Sequence, residues 1–153
     1  MIDIKYVEDF SKFYEEHKAF IKQRYSEASA LCNTERSLDI DQGLYQKLIE
    51  AQVLFVLEIL EDEEFIGYCS IAISPALLAQ GKVDARVDHL ALSEDARAKG
   101  YASEILGRIE QLLIDQGADE LSISLPPTEL HDGFAERNGY KKSVVTHVKR
   151  LEE

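Results

Sequence analysis

The residues best suited to chemistry fall in one run, Val87-Asp88-His89-Leu90-Ala91-Leu92-Ser93-Glu94-Asp95-Ala96-Arg97-Ala98-Lys99-Gly100-Tyr101-Ala102. An apolar strand ends at Leu92, a polar turn follows, and Arg-x-x-Gly-x-Ala opens a helix. The first turn of a helix leaves backbone N–H groups without internal partners, and its dipole concentrates positive charge there. Such an end binds phosphate when the backbone can approach closely. Gly100 and Ala102 leave room for that approach, and Arg97 and Lys99 add positive charge. The alternative is an ordinary helix start with Arg97 and Lys99 solvated. A strand directly before and a helix directly after favour the anion site.

The rest of the chain must hold that strand and helix in place. Ile2 to Val7 alternates as a first strand. Phe10, Phe13, Tyr14, Phe20 and Ile21 recur at helical spacing between Glu8 and Tyr25. Ser26 to Ser37 is polar and reads as a loop or short irregular helix. Leu38 to Gln52 reads as a second helix, with Leu44, Leu48 and Ile49 on one side. Val53 to Glu61 and Glu64 to Ser74 form a hairpin across the acidic turn Glu61-Asp62-Glu63-Glu64, most simply a solvated tip. Pro75 to Gly81 is an extended connection to the strand Val83 to Leu92. The helix from Gly100 ends near Gln116, with Gly117 in the usual C-terminal position. A short strand, Leu121 to Leu125, stops at Pro126-Pro127, and a brief helix runs from Thr128 to Arg137. Tyr140 to Leu151 is a last extended strand. This order predicts one mixed α/β (α+β) domain over residues 1–153, with a mostly antiparallel sheet flanked by helices.

The 153 residues carry 29 Asp and Glu against 17 Lys and Arg, a formal net charge of -12. That surplus repels nucleic-acid backbone and anionic membrane, so neither is expected as a partner, whereas a cationic acceptor would be drawn in. An anionic ligand must be held by local dipoles against the overall field. Acidity that merely keeps the protein soluble explains the charge equally well. Cys32 and Cys69 are far apart and form no C-x-x-C pair, so no metal or redox motif is expected. Cys69, in an apolar stretch, reads as a buried small hydrophobe. The chain does not begin with a basic region and a long apolar run, and its longest strongly apolar stretch, Val53 to Leu57, cannot span a bilayer. The expected compartment is the cytoplasm.

The run from Leu90 to Ala102 resembles the acetyl-coenzyme A signature of the GNAT (N-acetyltransferase) superfamily. That signature is an apolar strand, a short turn, then Arg/Gln-x-x-Gly-x-Gly/Ala opening a helix. A second segment, Phe134-Ala135-Glu136-Arg137-Asn138-Gly139-Tyr140, is similar to the family's Phe-Tyr-Glu-x-x-Gly-Phe. The two stand in the right order, and the element order fits the family fold, closely over residues 83–151. The resemblance implies acetyl-coenzyme A as co-substrate. Its pantetheine arm would pair with the main chain of Leu90, Ala91 and Leu92 like an added strand. Arg97, Ala98, Lys99, Gly100, Tyr101 and Ala102 would cradle the pyrophosphate, with Phe134 of the second motif also on the cofactor side. The strand at Leu121 to Leu125 would splay away from Leu92, leaving a slot for the thioester. Pro126 and Pro127 suit this, because proline cannot donate to a sheet ladder.

Acetyl transfer by direct attack in a ternary complex needs the amine to lose a proton, the carbonyl oxygen to be stabilised and the thiolate to leave. By resemblance the base is a carboxylate on the strand before the turn. Asp88 is the first candidate and His89 the second, since imidazole titrates near neutrality. Strand side chains alternate, so one of these neighbours should point into the cleft, and Asp88 could instead pair with Arg86. The Leu92 N–H would be the oxyanion donor. One departure stands out: where many relatives place a tyrosine acid, this chain has Ala135. Tyr140 reads as core, while His131 or Thr128 could stand in, His131 equally serving as a cap residue. The implied activity is an acetyl-coenzyme A-dependent N-acetyltransferase acting on an amine, a small molecule ahead of a protein. The exposed edges of a short sheet are compatible with a homodimer. The rival is a non-catalytic acyl-coenzyme A-binding sensor or interaction module on the same fold, favoured by Ala135. Phe10, Phe13, Tyr14 and Phe20 read as core rather than a substrate cage, and His17 and His147 as surface.

Overall fold

In the computed structural model, which describes residues 1–32, 38–147, 149 and 151, the alternating segments pair into one five-stranded sheet. Its strands are β1 (Ile2–Tyr6), β2 (Leu54–Glu61), β3 (Glu64–Pro75), β4 (Val83–Leu92) and β5 (Glu120–Ile123), lying side by side in that order. The first three pairings are antiparallel and β4–β5 is parallel. Helices α1 (Phe10–Leu31) and α2 (Gln42–Glu50) precede β2. Helices α3 (Glu94–Ala98) and α4 (Tyr101–Asp115) cross from β4 to β5, and α5 (Glu129–Arg137) follows.

Each face of the sheet has its own core. On one, Ile105, Ile109 and Leu113 of α4 pack on Leu57, Ile59, Cys69, Ile71, Ala85, Val87 and Leu92. On the other, Phe10, Phe13, Tyr14 and Ile21 of α1 meet Val7, Leu54 and Val56. Cys69 is fully buried, as its apolar neighbours predict. The β2–β3 turn places Asp62 and Glu63 at φ of 50° and 71°. A two-residue turn of positive φ matches the twist of its flanking strands. No described helix is long and apolar enough to cross a membrane.

Several boundaries differ from the sequence expectation, each for a local reason. Helix α1 runs on to Leu31, because Ser26 to Leu31 contains Glu, Ala and Leu and neither Gly nor Pro. Helix α2 begins at Gln42, where the Asp41 side chain accepts from the Leu44 N–H at 2.9 Å. The expected loop before Gly100 contains α3, capped by Ser93. Residues 76–82 form hydrogen-bonded turns rather than an extended link, with the Ala76 N–H donating to Lys82 O at 3.0 Å. The acidic hairpin tip is not simply solvated: Glu61 accepts from Lys99 at 3.0 Å and from the Tyr101 hydroxyl, and Asp62 holds the Met1 ammonium at 3.0 Å. His17 is packed, its ring stacked on Phe65 at 3.7 Å. Residues 141–147 join no strand, so the expected final strand is not part of the sheet among the described residues. Val144 and Val145 are adjacent there, so one sheet face could cover only one of them, and both are exposed.

Strands β3 and β4 approach so closely at Gly67 that an added Cβ would lie 2.2 Å from the Ala91 carbonyl oxygen. The obstacle is backbone, which cannot swing aside. Gly67→Ala is therefore expected to lower unfolding free energy by about 1–3 kcal/mol, measured by denaturant titration.

Candidate active site

Strand β4 carries one residue more than its partner can match. Ser70 pairs with His89 but Ile71 with Val87, so Asp88 is a bulge. The extra residue reverses the strand's alternation. Val87 faces the α4 core, whereas His89, two residues on, lines the pocket on the opposite face. The main chain reverses too. Val87 O accepts from Ser124 N at 3.2 Å on the β5 side, while Ser93 N donates to Ile66 O at 2.8 Å on the β3 side. The Ala91 carbonyl also points at β3, beside Gly67. Alternation then turns the N–H and C=O of Leu90 and Leu92 toward β5. There they meet no strand, because β4–β5 pairing ends at Val87–Ile123 and the chain leaves through Pro126 and Pro127. The splay expected from the sequence is thus present. Of the three residues expected to line it, Ala91 turns its carbonyl the other way.

Beyond β4 stands the mouth of α4. Asp9, Asp41, Ser93 and Thr128 cap the other four helices with side-chain oxygens, and α4 alone has no side-chain cap. Gly100 holds that position at φ 74°, a conformation that Cβ-bearing residues resist, and nothing lies within 4 Å of where a Cβ would be. The N–H groups of Arg97, Lys99 and Gly100 are bonded within the turn, to the carbonyls of Ser93, Asp95 and Arg97. Those of Tyr101, Ala102 and Ser103 open the helix and have no partner among the described residues. The open N–H groups are thus those of the helix's first turn, and not those of Arg97, Lys99 and Gly100. Arg97, Ala98, Lys99 and Gly100 are exposed. Lys99 and Tyr101 turn to Glu61, whose carboxyl is held below its ordinary pKa first by the Tyr101 hydroxyl and then by Lys99. Arg97 has no acidic partner within 4.0 Å among the described residues, which leaves its charge for a ligand.

On the far face of β4 a cavity of about 390 Å³ opens between α1, the segment 38–41, α2 and the sheet. Its walls include Phe10, Phe13, Tyr25, Tyr45, Tyr68 and Val56. Phe10 stacks on Tyr45 with ring centroids 4.4 Å apart. Ser70 and His89 lie on the sheet floor, and Asp39 and Asp41 are exposed at the rim. Phe10 and Phe13 are core residues, as expected, and also line this cavity. Tyr45, Tyr68, Ser70, Asp39 and Asp41 were not singled out from the sequence. Drawn from the segment before α2, from α2 and from β3, they carry no motif. Burial raises the pKa values of Tyr45, which also feels Asp88, and of Tyr68, so both phenols keep their protons.

The two base candidates separate here. Asp88 binds Arg86 at 2.6 Å and is not on the cavity wall, whereas His89 is. Solvent reaches His89 through the cavity, yet the surrounding protein disfavours its charge and lowers its pKa from 6.5, with Asp88 partly opposing. His131 is the third helical residue of α5, its N–H and Nδ1 both engaged with Thr128 Oγ1 at 3.2 and 2.6 Å. The cap residue is thus Thr128, and His131 is the residue it caps. Phe134 and Ala135 are partly buried on α5, which reaches the start of α4 through Asn138 and Ser103, 3.1 Å apart. The Tyr140 hydroxyl is buried, its pKa raised by burial and by Glu110 of α4. Among the described residues no three His, Cys, Asp or Glu side chains gather as a metal site.

The family model of the acetyltransferase (GNAT) family matches residues 10–140. The chain belongs to this family and is by class an N-acetyltransferase. No protein of curated function matches it by sequence. Among solved structures it is similar to an aminoglycoside acetyltransferase from an uncultured soil metagenomic sample, in complex with sisomicin. The TM-score is 0.74 at 15% identity, covering 99% of this chain and 97% of that one. It is likewise similar to the ribosomal-protein-alanine N-acetyltransferase of Brucella melitensis (TM-score 0.72, 16% identity, 99% and 100% covered). Glucosamine-6-phosphate N-acetyltransferase of Arabidopsis thaliana gives 0.68 at 13%, with 99% of each chain covered. At these identities the likeness establishes the fold.

Because burial holds the His89 pKa below 6.5 while Asp88 raises it, proton NMR should show a midpoint under 6.5. Asp88→Asn should lower that midpoint further. The sign also sets a stability trend: the contribution of neutral His89 is complete above the unfolded value, near 6.5, and is lost as pH falls through the folded one. A midpoint above 6.5 in the wild type would contradict this account of the site.

Proposed function

We propose that the chain transfers the acetyl group of acetyl-coenzyme A to an amine by direct attack in a ternary complex. The observation that carries this reading is the mouth of α4, uncapped and sterically open at Gly100. A diphosphate suits that mouth. The amides of Tyr101, Ala102 and Ser103 donate to it and Arg97 neutralises part of its charge, against an overall charge of -12. The pantetheine arm suits the unpaired edge of β4, joining the main chain of Leu90 and Leu92 as an added strand. This path leads the thioester toward the bulge, beside His89.

The acceptor approaches through the aromatic cavity. An ammonium cannot attack, so neutral His89 takes one proton from it, directly or through a water. The freed amine forms a C–N bond to the thioester carbonyl carbon, and a free main-chain N–H on the open edge of β4 beside the bulge donates to the oxygen as it gains charge. The C–S bond then breaks, the nitrogen gives up its remaining surplus proton to the departing sulfur, and His89 returns its proton to water. The products are an amide and free coenzyme A thiol. Ala135 stands where many relatives place a tyrosine acid, and His131 Nδ1 is engaged with Thr128. No dedicated acid is required, because a thiol's pKa near 8.5 lies well below an alkyl ammonium's, making thiolate the better leaving group.

Calorimetric titration tests the first half. Coenzyme A should bind the wild type and Gly100→Ala, whose methyl group has open space at a strain of about 1–2 kcal/mol, but not Gly100→Glu, whose carboxylate would occupy the phosphate position. Equal affinity for all three would overturn the site. For the second half, His89→Ala should retain coenzyme A affinity while turnover falls roughly 10²–10⁴-fold, and Asp88→Asn should lose less.

A further inference from the structure

Resting on the acetyltransfer reading above, we infer that the acceptor is a small primary amine with a single positive charge and an apolar, ring-bearing body. The cavity beside His89 carries the inference. Five aromatic rings line it, those of Phe10, Phe13, Tyr25, Tyr45 and Tyr68, together with Ile21, Leu38, Ile40, Leu44 and Val56. Its carboxylates, Asp39 and Asp41, stand exposed at the rim, while Ser70 is 4% exposed on the sheet floor near His89. The carboxylates stand at one end and Ser70 and His89 at the other, and between them lie aliphatic side chains and five rings, three of which carry a hydroxyl, a wall that takes apolar surface out of water.

This arrangement selects by charge and by polarity. Rim carboxylates on a protein of net charge -12 draw in a cation and hold an anionic acceptor, such as a sugar phosphate, away. Tyr45 and Tyr68 stay protonated, so their rings offer neutral faces that an organic cation can approach. A polyhydroxylated acceptor fares worse, because each hydroxyl buried against Ile, Leu, Val or Phe without a partner lowers affinity about tenfold or more. A cavity of about 390 Å³ lies at the small end of ligand sites, which suits one ring and a short alkylamine arm. The arm reaches the floor, where the nitrogen meets His89 and the thioester slot. The rings hold the body.

Thiol release from acetyl-coenzyme A, measured with equal concentrations of several acceptors, tests this. The panel is 2-phenylethylamine, an aminoglycoside, glucosamine 6-phosphate and a peptide with N-terminal alanine. The expected result is a kcat/KM for 2-phenylethylamine at least 100-fold above the other three. Faster turnover of any of the other three overturns the acceptor class while leaving acetyl transfer standing. If no acceptor releases thiol, calorimetry of 2-phenylethylamine with the coenzyme A-bound protein separates the two claims. Binding then upholds the cavity's chemistry and overturns transfer, and no binding overturns both. The double variant Asp39→Asn, Asp41→Asn keeps the α2 cap, since Asn caps as well as Asp. It should raise KM for 2-phenylethylamine about tenfold and leave KM for acetyl-coenzyme A unchanged. An unchanged amine KM counts against the proposal.

Discussion

A single unmatched residue in β4 organises this molecule. Without a bulge at Asp88, strict alternation would keep residues 87, 89 and 91 on one face with their main chains toward one neighbour. With it, Val87 remains in the α4 core and His89 crosses to the aromatic cavity. Leu90 and Leu92 then direct their main chains to the edge that β5 abandons. The cavity and the slot thus meet at one strand position, from opposite sides of the sheet. Unpaired N–H and C=O groups are costly when buried, so an edge left open inside a fold needs either solvent or a ligand strand.

The second constraint is electrostatic. A surplus of acidic residues opposes any anionic ligand over the long range, but long-range fields between exposed charges are screened within about 10 Å at ordinary salt. The mouth of α4 works inside that distance. It has unbonded amides among the described residues and lacks a carboxylate cap, and Arg97 is exposed on the short helix before it. Lys99 is not equivalent to Arg97, because Glu61 of the β2–β3 hairpin holds it. That exposed ion pair contributes little stability, yet together with the Tyr101 hydroxyl it ties the hairpin to the start of α4.

Much of the fold was legible in the residues. The helix periods of α1 and α4, Gly117 ending α4, the β2–β3 hairpin and the place of β5 all follow from spacing and turn chemistry. The glycine-bearing turn that opens α4 was legible from residues 97–102, although α3 within it was not. Legibility failed where pairing partners decide. Asp88 stood ahead of His89 on the family resemblance, and no local signal marks the bulge that puts His89, not Asp88, on the cavity wall; Glu61 looked solvated because Lys99 lies 38 positions away. The final segment shows the converse. Tyr140 to Leu151 read as a strand, but residues 141–147 have no place in the sheet.

The division follows from range. Side-chain period, caps and turn preference act within a few residues, so the chain by itself determined its elements, their order, their family and the position of the helix mouth. Which groups confront one another across those elements depends on register, and register is settled by which face of each strand is buried against the rest of the fold. Tertiary structure alone therefore decided that Asp88 would bulge and that Ala91 would turn to Gly67. It also brought five rings from α1, α2 and β3 together over His89.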